Sequence, residues 1–152
     1  MNMNKTAEQS GMTLIVKTVT RLTFGLILLF GVYLSFHGHL SPGGGFAGGV
    51  ILALAFAHLT LAFGKDVALK KLSISAASFV EGMGGVIFLS VAVLGFIGGC
   101  FFFNFLGKGN PFDLFSAGTI PVYNVAAISL KVGAGLFSVF LALLGVSKED
   151  KE

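Results

Sequence analysis

Four long apolar stretches, each set off from the next by a short polar or glycine-rich segment, organise this sequence: about 14–36, 43–63, 79–103 and 120–146. Each is long enough for a helix that crosses a bilayer, which takes about 20 residues. The pattern predicts an all-α integral membrane protein with four transmembrane helices in a single membrane domain, 1–152, with short polar termini. The polar segment before the first stretch lacks the character of a cleavable leader, and the stretch itself is longer than a leader's apolar core, so the first helix is expected to remain as an anchor.

The connection between the first two stretches, His37-Gly-His-Leu-Ser-Pro-Gly-Gly-Gly-Phe46, packs two imidazoles, a proline and three consecutive glycines into one hairpin. Glycine lets other backbone come close, so this run predicts a tight turn pressed against protein. Ser41 reads as the N-cap of the second helix and Pro42 as its first residue, where a missing N–H costs nothing. In a second reading, Gly43, Gly44 and Gly45 unwind that first turn and free backbone groups for a neighbour or an ion. Beyond it, Gly45, Gly48, Gly49, Ala53 and Ala57 recur at three-to-four spacing, a stripe that admits another helix closely. Further glycines, at 82, 84, 85, 95, 98 and 99, smooth the third helix in the same way. The segment 104–119 combines turn chemistry with Phe112, Leu114 and Phe115, which suits packing on a partner or at the membrane interface. No internal repeat of fixed period is present.

Composition agrees with this pattern. Of 152 residues, 55% are hydrophobic and 11% charged, too few charges to cover the surface of a water-soluble domain. The net charge of +3 carries no nucleic-acid signal, because the basic residues sit at helix ends and in loops. Lys5, Lys17, Arg21, Lys65, Lys70, Lys71, Lys148 and Lys151 fall at one side, against Lys108 at the other. The positive-inside rule then places both termini and the 64–78 loop in the cytoplasm, and the glycine-rich hairpin and the 104–119 loop outside.

Chemistry is sparse. Cys100 is the sole cysteine, so the chain can form neither an internal disulfide nor a thiolate metal site, and it reads as a small buried hydrophobe at a helix end. His37 and His39 lack a nearby carboxylate to complete a metal site. The glycine run lacks the Gly-Lys-Ser/Thr of a phosphate loop. Neither a metal, a cofactor nor a catalytic group is expected.

Four ionisable residues inside the apolar stretches remain: Arg21, His58, Glu81 and Lys131. Lys131 falls near the bilayer midplane, where a lysine costs about 2.5–3.5 kcal/mol to insert. It must face protein or a hydrated cavity. Arg21 lies about 10 Å beyond the start of its helix at a rise of about 1.5 Å per residue, and Lys17 one turn earlier shares its face. Glu81 sits at a similar depth, and an ion pair with Arg21 or Lys17 is the favoured reading. Histidine and lysine can also relay protons when desolvated, so all four are candidates for an ion path. Structural roles, an ion pair or cap for Lys131 and a satisfied buried imidazole for His58, stand beside that reading.

At the hairpin the sequence resembles the MnhB family, the B subunit of Mrp-type multisubunit Na+/H+ antiporters. The resemblance rests on Gly38, His39, Pro42, Gly43, Gly44, Gly45 and Phe46, with Gly48-Gly49-Val-Ile following and looser agreement in the Asn124 to Lys131 region. It implies a small multi-pass subunit of the cell membrane, embedded in lipid with other subunits of a complex that exchanges Na+ and H+. Similar B-type subunits occur in archaeal membrane-bound hydrogenase and sulfur-reducing complexes. There this chain, with nothing suited to iron–sulfur or nickel centres, would belong to the ion-translocating arm. A third reading is a structural scaffold that contributes no transport residue.

Overall fold

The computed structural model describes residues 12–40, 42–104, 106, 110 and 118–149, with side chains of the last helix described through Leu144. Every regular element in it is helical. Helix α1 spans Leu14–Phe36, and α2 spans Gly44–Phe63. A short α3, Lys65–Lys71, leads into α4, Ile74–Leu94, which runs on as a 3-10 turn over Gly95–Gly98. The final helix begins as α5, Ile120–Val122, widens into a π-helical stretch over Tyr123–Ser129 and continues as α6, Leu130–Glu149. Four of these helical runs, Leu14–Phe36, Gly44–Phe63, Ile74–Gly98 and Ile120–Leu144, are long and apolar enough to cross a membrane.

The ends of these helices have identifiable causes. After α1 the chain turns at once, with Leu40 N–H donating to the His37 carbonyl at 2.9 Å. The N-cap of α2 is Gly43 at φ +102°, and Gly44 follows at +57°, a left-handed pair that glycine tolerates. The expected start of α2 is therefore corrected: Pro42 lies in the turn before the helix, because the reversal is made by two glycines that only then release the chain into helical geometry. Ser41, the expected cap, lies outside the described residues.

Helix α4 starts five residues earlier than hydropathy alone suggests. The Ser73 hydroxyl accepts the Ala76 N–H at 3.2 Å, so a serine-rich segment that reads as polar is a capped first turn. Helix α3 was not expected either. It has Asp66 in its first turn and Lys70 and Lys71 in its last, which matches the helix dipole, and Ala68 is fully buried beneath it. At its far end α4 stops short of 103. Gly99 is left-handed at φ +96° and the chain folds back, so that Phe102 N–H reaches the Ala92 carbonyl at 3.4 Å. Cys100 sits on this reversal and is exposed, which corrects its reading as a buried helix-end residue. Lys108, Phe112, Leu114 and Phe115 lie outside the described residues.

The helices pack in the order α1, α2, last helix, α4; among the described residues α1 and α4 do not form a packed pair. Two glycine-lined seams hold the middle of this row. Gly48 of α2 presses on Ser35 of α1, and a β-carbon on Gly31 would come within 2.9 Å of Leu52. On its other side α2 meets the last helix in parallel, through Gly45 against Asn124, Gly49 against Ser129 and Val132, and Phe56 against Phe137 with ring centroids 5.3 Å apart. A buried apolar cluster, Ala68, Ala77, Ala134, Phe137 and Leu141, lies where α3 and the start of α4 meet α6. Large apolar side chains such as Leu22, Leu26, Leu29, Val86, Leu89 and Val139 point outward. For a bundle whose solvent is lipid this is the expected arrangement, since the helices satisfy their own backbones.

Candidate functional site

The four ionisable residues separate into two places. Arg21 and His58 belong to the α1–α2 pair. His58 Nε2 lies 3.1 Å from the Thr23 hydroxyl, so one of them donates to the other according to the tautomer. The Arg21 guanidinium sits 5.4 Å from the centre of the Phe63 ring, a cation–π contact at the last residue of α2. Its side chain has turned toward the end of the bundle that carries both termini, as long basic side chains do when their stem is embedded.

Glu81 and Lys131 belong to the antiparallel seam between α4 and α6. Three glycines make room for them. The Glu81 carboxylate lies against Gly135, with Oε1 3.5 Å from where a β-carbon on that glycine would stand. Lys131 lies against Gly84 and Gly85: its β-carbon is 2.8 Å from the corresponding point on Gly84, and its Nζ 3.6 Å from that on Gly85. Residues 81 and 85 are one turn apart on α4, as 131 and 135 are on α6. The carboxylate and the ammonium thus occupy neighbouring turns of one seam. Among the described residues neither is in an ion pair. The expected pairing of Glu81 with Arg21 or Lys17 does not form, because α4 packs on the last helix and α1 stands at the opposite end of the row.

Burial adds to this picture. Glu81 is half-buried and Lys131 is exposed on the flank of the bundle, although it stands near the middle of its span. Above it the Ser129 hydroxyl ties the last helix to α2. Ser129 Oγ lies 2.7 Å from both the Gly45 and the Asn124 carbonyl oxygens, with one proton to share between them. A π-helical stretch of this kind leaves the helix wider and its carbonyls less regularly bonded. Nearer the loop, Asn104 Oδ1 accepts from the Thr119 N–H at 2.8 Å and from its hydroxyl at 2.7 Å, tying the loop's two described feet together.

In the hairpin, His37 is turned back on its own helix, with Nδ1 3.0 Å from the Tyr33 carbonyl and its ring stacked on Tyr33 at 4.2 Å. Both ring nitrogens of His39 are shut from solvent without a hydrogen-bond partner among the described residues. An imidazole so placed is costly unless a group from elsewhere meets it. Gly38 lies under Gly44 and Gly45, where a β-carbon would come within 2.9 Å of their backbone, while Pro42 and Phe46 remain exposed. Sequence reasoning missed Ser129, Asn104 and the Thr23 partner of His58. Serines and threonines in apolar helices usually bond their own preceding turn, as Ser90 does with Val86, and nothing local marks the ones that reach across.

Comparison with known proteins places these features in context. Residues 15–138 match a family model described as a domain related to the MnhB subunit of Na+/H+ antiporter. An uncharacterized protein of Methanocaldococcus jannaschii is 36% identical over 118 residues, 73% of this chain and 44% of that protein. A Staphylococcus aureus protein named as antiporter subunit mnhB2 is 45% identical over 60 residues, 40% of this chain and 43% of its own length. Among solved structures, a chain of the membrane-bound sulfane sulfur reductase, an archaeal respiratory membrane complex, superimposes with a TM-score of 0.72 at 32% identity. That match covers 86% of this chain and 57% of the other. The chain thus spans less than half the length of these two curated relatives.

Proposed function

Since the chain belongs to the MnhB family and is a multi-pass membrane protein, we propose that it is an accessory subunit of a multisubunit ion-translocating complex. In this reading it sits with both termini in the cytoplasm, in contact with other subunits and lipid, and it catalyses no covalent reaction itself. The α4–α6 seam is its functional face, with Glu81 and Lys131 as the residues that meet the ion path and exchange Na+ or H+ with it.

One observation carries the proposal: Lys131 is exposed on the flank of the bundle near the middle of a transmembrane span. A lysine there cannot be left against hydrocarbon. A neighbouring subunit with a carboxylate, or a hydrated cavity between subunits, is what that side chain calls for. Glu81 one turn away supplies a second titratable group, and glycine on the facing helix leaves both side chains free to change partners. His58, bonded to Thr23, and Arg21, over Phe63, lie in the other half of the bundle and are assigned structural roles.

Na+-dependent proton movement in vesicles holding the complex with Lys131→Ala, beside a native gel for assembly, tests this. Loss of exchange in an intact complex is expected. Normal exchange would remove Lys131 from the path and leave the chain as a scaffold.

A second reading has its own support. The likeness to the respiratory complex covers 86% of this chain, against 40% for the antiporter subunit. On that reading the same seam serves a complex in which electron transfer drives ion movement. Iron–sulfur subunits co-purifying with this chain would favour it, and their absence would favour the stand-alone antiporter.

A further inference from the structure

A second site uses none of the charged residues of the ion-path reading. Two features lie in line on one face of the bundle, the first between α1, α2 and α3 and the second where α1 and α2 meet α4 and the last helix. At the end carrying the termini is a cleft of about 450 Å³ whose polar lining is Arg21 and Lys71, with Phe24 and Phe63 beside them. Beyond it is an apolar crevice of about 240 Å³, where Val32 of α1 and Leu52 and Phe56 of α2 face Val80 of α4 and Gly133 and Ala134 of the last helix. Both are open to the surface of the bundle.

The two are continuous by helical arithmetic. On α1 the lining residues are 21, 24 and 32, and on α2 they are 52, 56, 59 and 63. Steps of three, four, seven and eight keep each set on one stripe of its helix. The boundary between the two is an edge-on aromatic pair, Phe24 against Phe56 at 5.7 Å, and Lys71 and Leu72, adjacent in sequence, line one each. Lys71 Nζ stands 5.3 Å from the Phe24 ring centre, and the Arg21 guanidinium is held over Phe63. Two cationic heads thus lie beside aromatic faces on exposed side chains, and among the described residues neither is in an ion pair. From Arg21 to Val32 the groove runs about 16 Å along the helix axis at about 1.5 Å per residue.

We propose that this groove binds one anionic phospholipid, its phosphate between Arg21 and Lys71 and one acyl chain laid along the crevice toward Val32. The chemistry at the two ends differs as the two ends of such a lipid do: paired cations at one, hydrocarbon at the other. A partner helix does not fit, since it is about 10–12 Å across with its side chains, whereas the crevice holds only about 240 Å³ between Val32, Phe56, Val80 and Ala134. Basic pockets between transmembrane helices take lipid head groups in this way.

The test uses the full chain purified in mild detergent and titrated by native mass spectrometry with palmitoyl-oleoyl phosphatidylglycerol or phosphatidylcholine. Each cation is expected to contribute about fivefold, so the anionic lipid should be preferred by roughly 20–30-fold. Arg21→Gln with Lys71→Gln should abolish that preference, and Arg21→Lys with Lys71→Arg should largely keep it. The chain has no tryptophan, so Val32→Trp provides a single reporter. Its fluorescence should be quenched more strongly by phosphatidylglycerol brominated along the acyl chain than by the matching phosphatidylcholine. Equal binding of the two lipids by the unaltered chain would overturn the proposal. So would full competition by inorganic phosphate or a dihexanoyl phosphatidylglycerol, which would leave a plain anion site, or an indole indifferent to the brominated anionic lipid.

Discussion

The two seams of the last helix use glycine to opposite ends. Against α2, Gly45 and Gly49 bring backbone onto backbone: a β-carbon on Gly49 would stand 2.6 Å from the Ser129 carbonyl and 2.8 Å from Val132. That seam is closed and cross-linked by the Ser129 hydroxyl. Against α4, Gly84 is equally close, to Lys131 Cβ at 2.8 Å and the Ala127 carbonyl at 3.0 Å, but Gly85 and Gly135 face the charged ends of long side chains, and their nearest contacts are 3.5–3.6 Å. There the missing side chain leaves space, and a carboxylate and an ammonium occupy it. Glycine in a membrane helix is therefore not one signal. Its meaning depends on whether the neighbour across the seam offers backbone or a movable side chain.

Substitutions can break that contrast. The largest effect is expected from Gly49→Val, which drives three carbons against the Ser129 backbone and Val132 and should destabilise the bundle by about 3 kcal/mol or more. Its denaturation midpoint in mixed detergent, read by circular dichroism, should fall sharply or the protein should fail to accumulate. Ser129→Ala removes the hydroxyl between the Gly45 and Asn124 carbonyls and should cost about 1 kcal/mol by the same measurement. On the other seam, Glu81→Gln should move the midpoint by less than about 0.5 kcal/mol while lowering ion exchange in the assembled complex. A large loss of stability there would show that the seam is held by charge and would sink the comparison. Opposite in sign to the others, Gly82→Ala meets nothing within 4 Å and should stabilise α4 by about 0.5–1 kcal/mol through the backbone alone.

Hydropathy located the membrane-spanning helices well. The limits of α1 and the end of α2 coincide with the apolar runs, since what fixes them is the number of residues a bilayer demands. It missed α3 and the first turn of α4, which are marked by charge order and by a serine cap and not by apolarity. The site was legible only as a set of depths. Glu81 was seen to be level with Arg21, yet depth does not say which helices are neighbours, and the row of helices gives Glu81 to α6. Lys131 could be singled out because no other basic residue lies so far from both ends of its span. That it faces outward could not be read, because the rotation of the last helix is set by contacts between Gly45, Gly49, Gly84 and residues far away in sequence.

The π-helical stretch from Tyr123 to Ser129 governs that rotation. In a regular helix, residues seven apart differ by only about 20° in azimuth, so Asn124 and Lys131 would look toward the same neighbour. The wider turns between them change the phase: the Asn124 backbone meets Gly45 of α2, while the Lys131 side chain meets Gly84 of α4. The stretch works as a fixed angular offset, giving the two ends of a single rod separate headings. Removing one residue from it would swing the lysine out of its seam even with every side chain in that seam left unaltered.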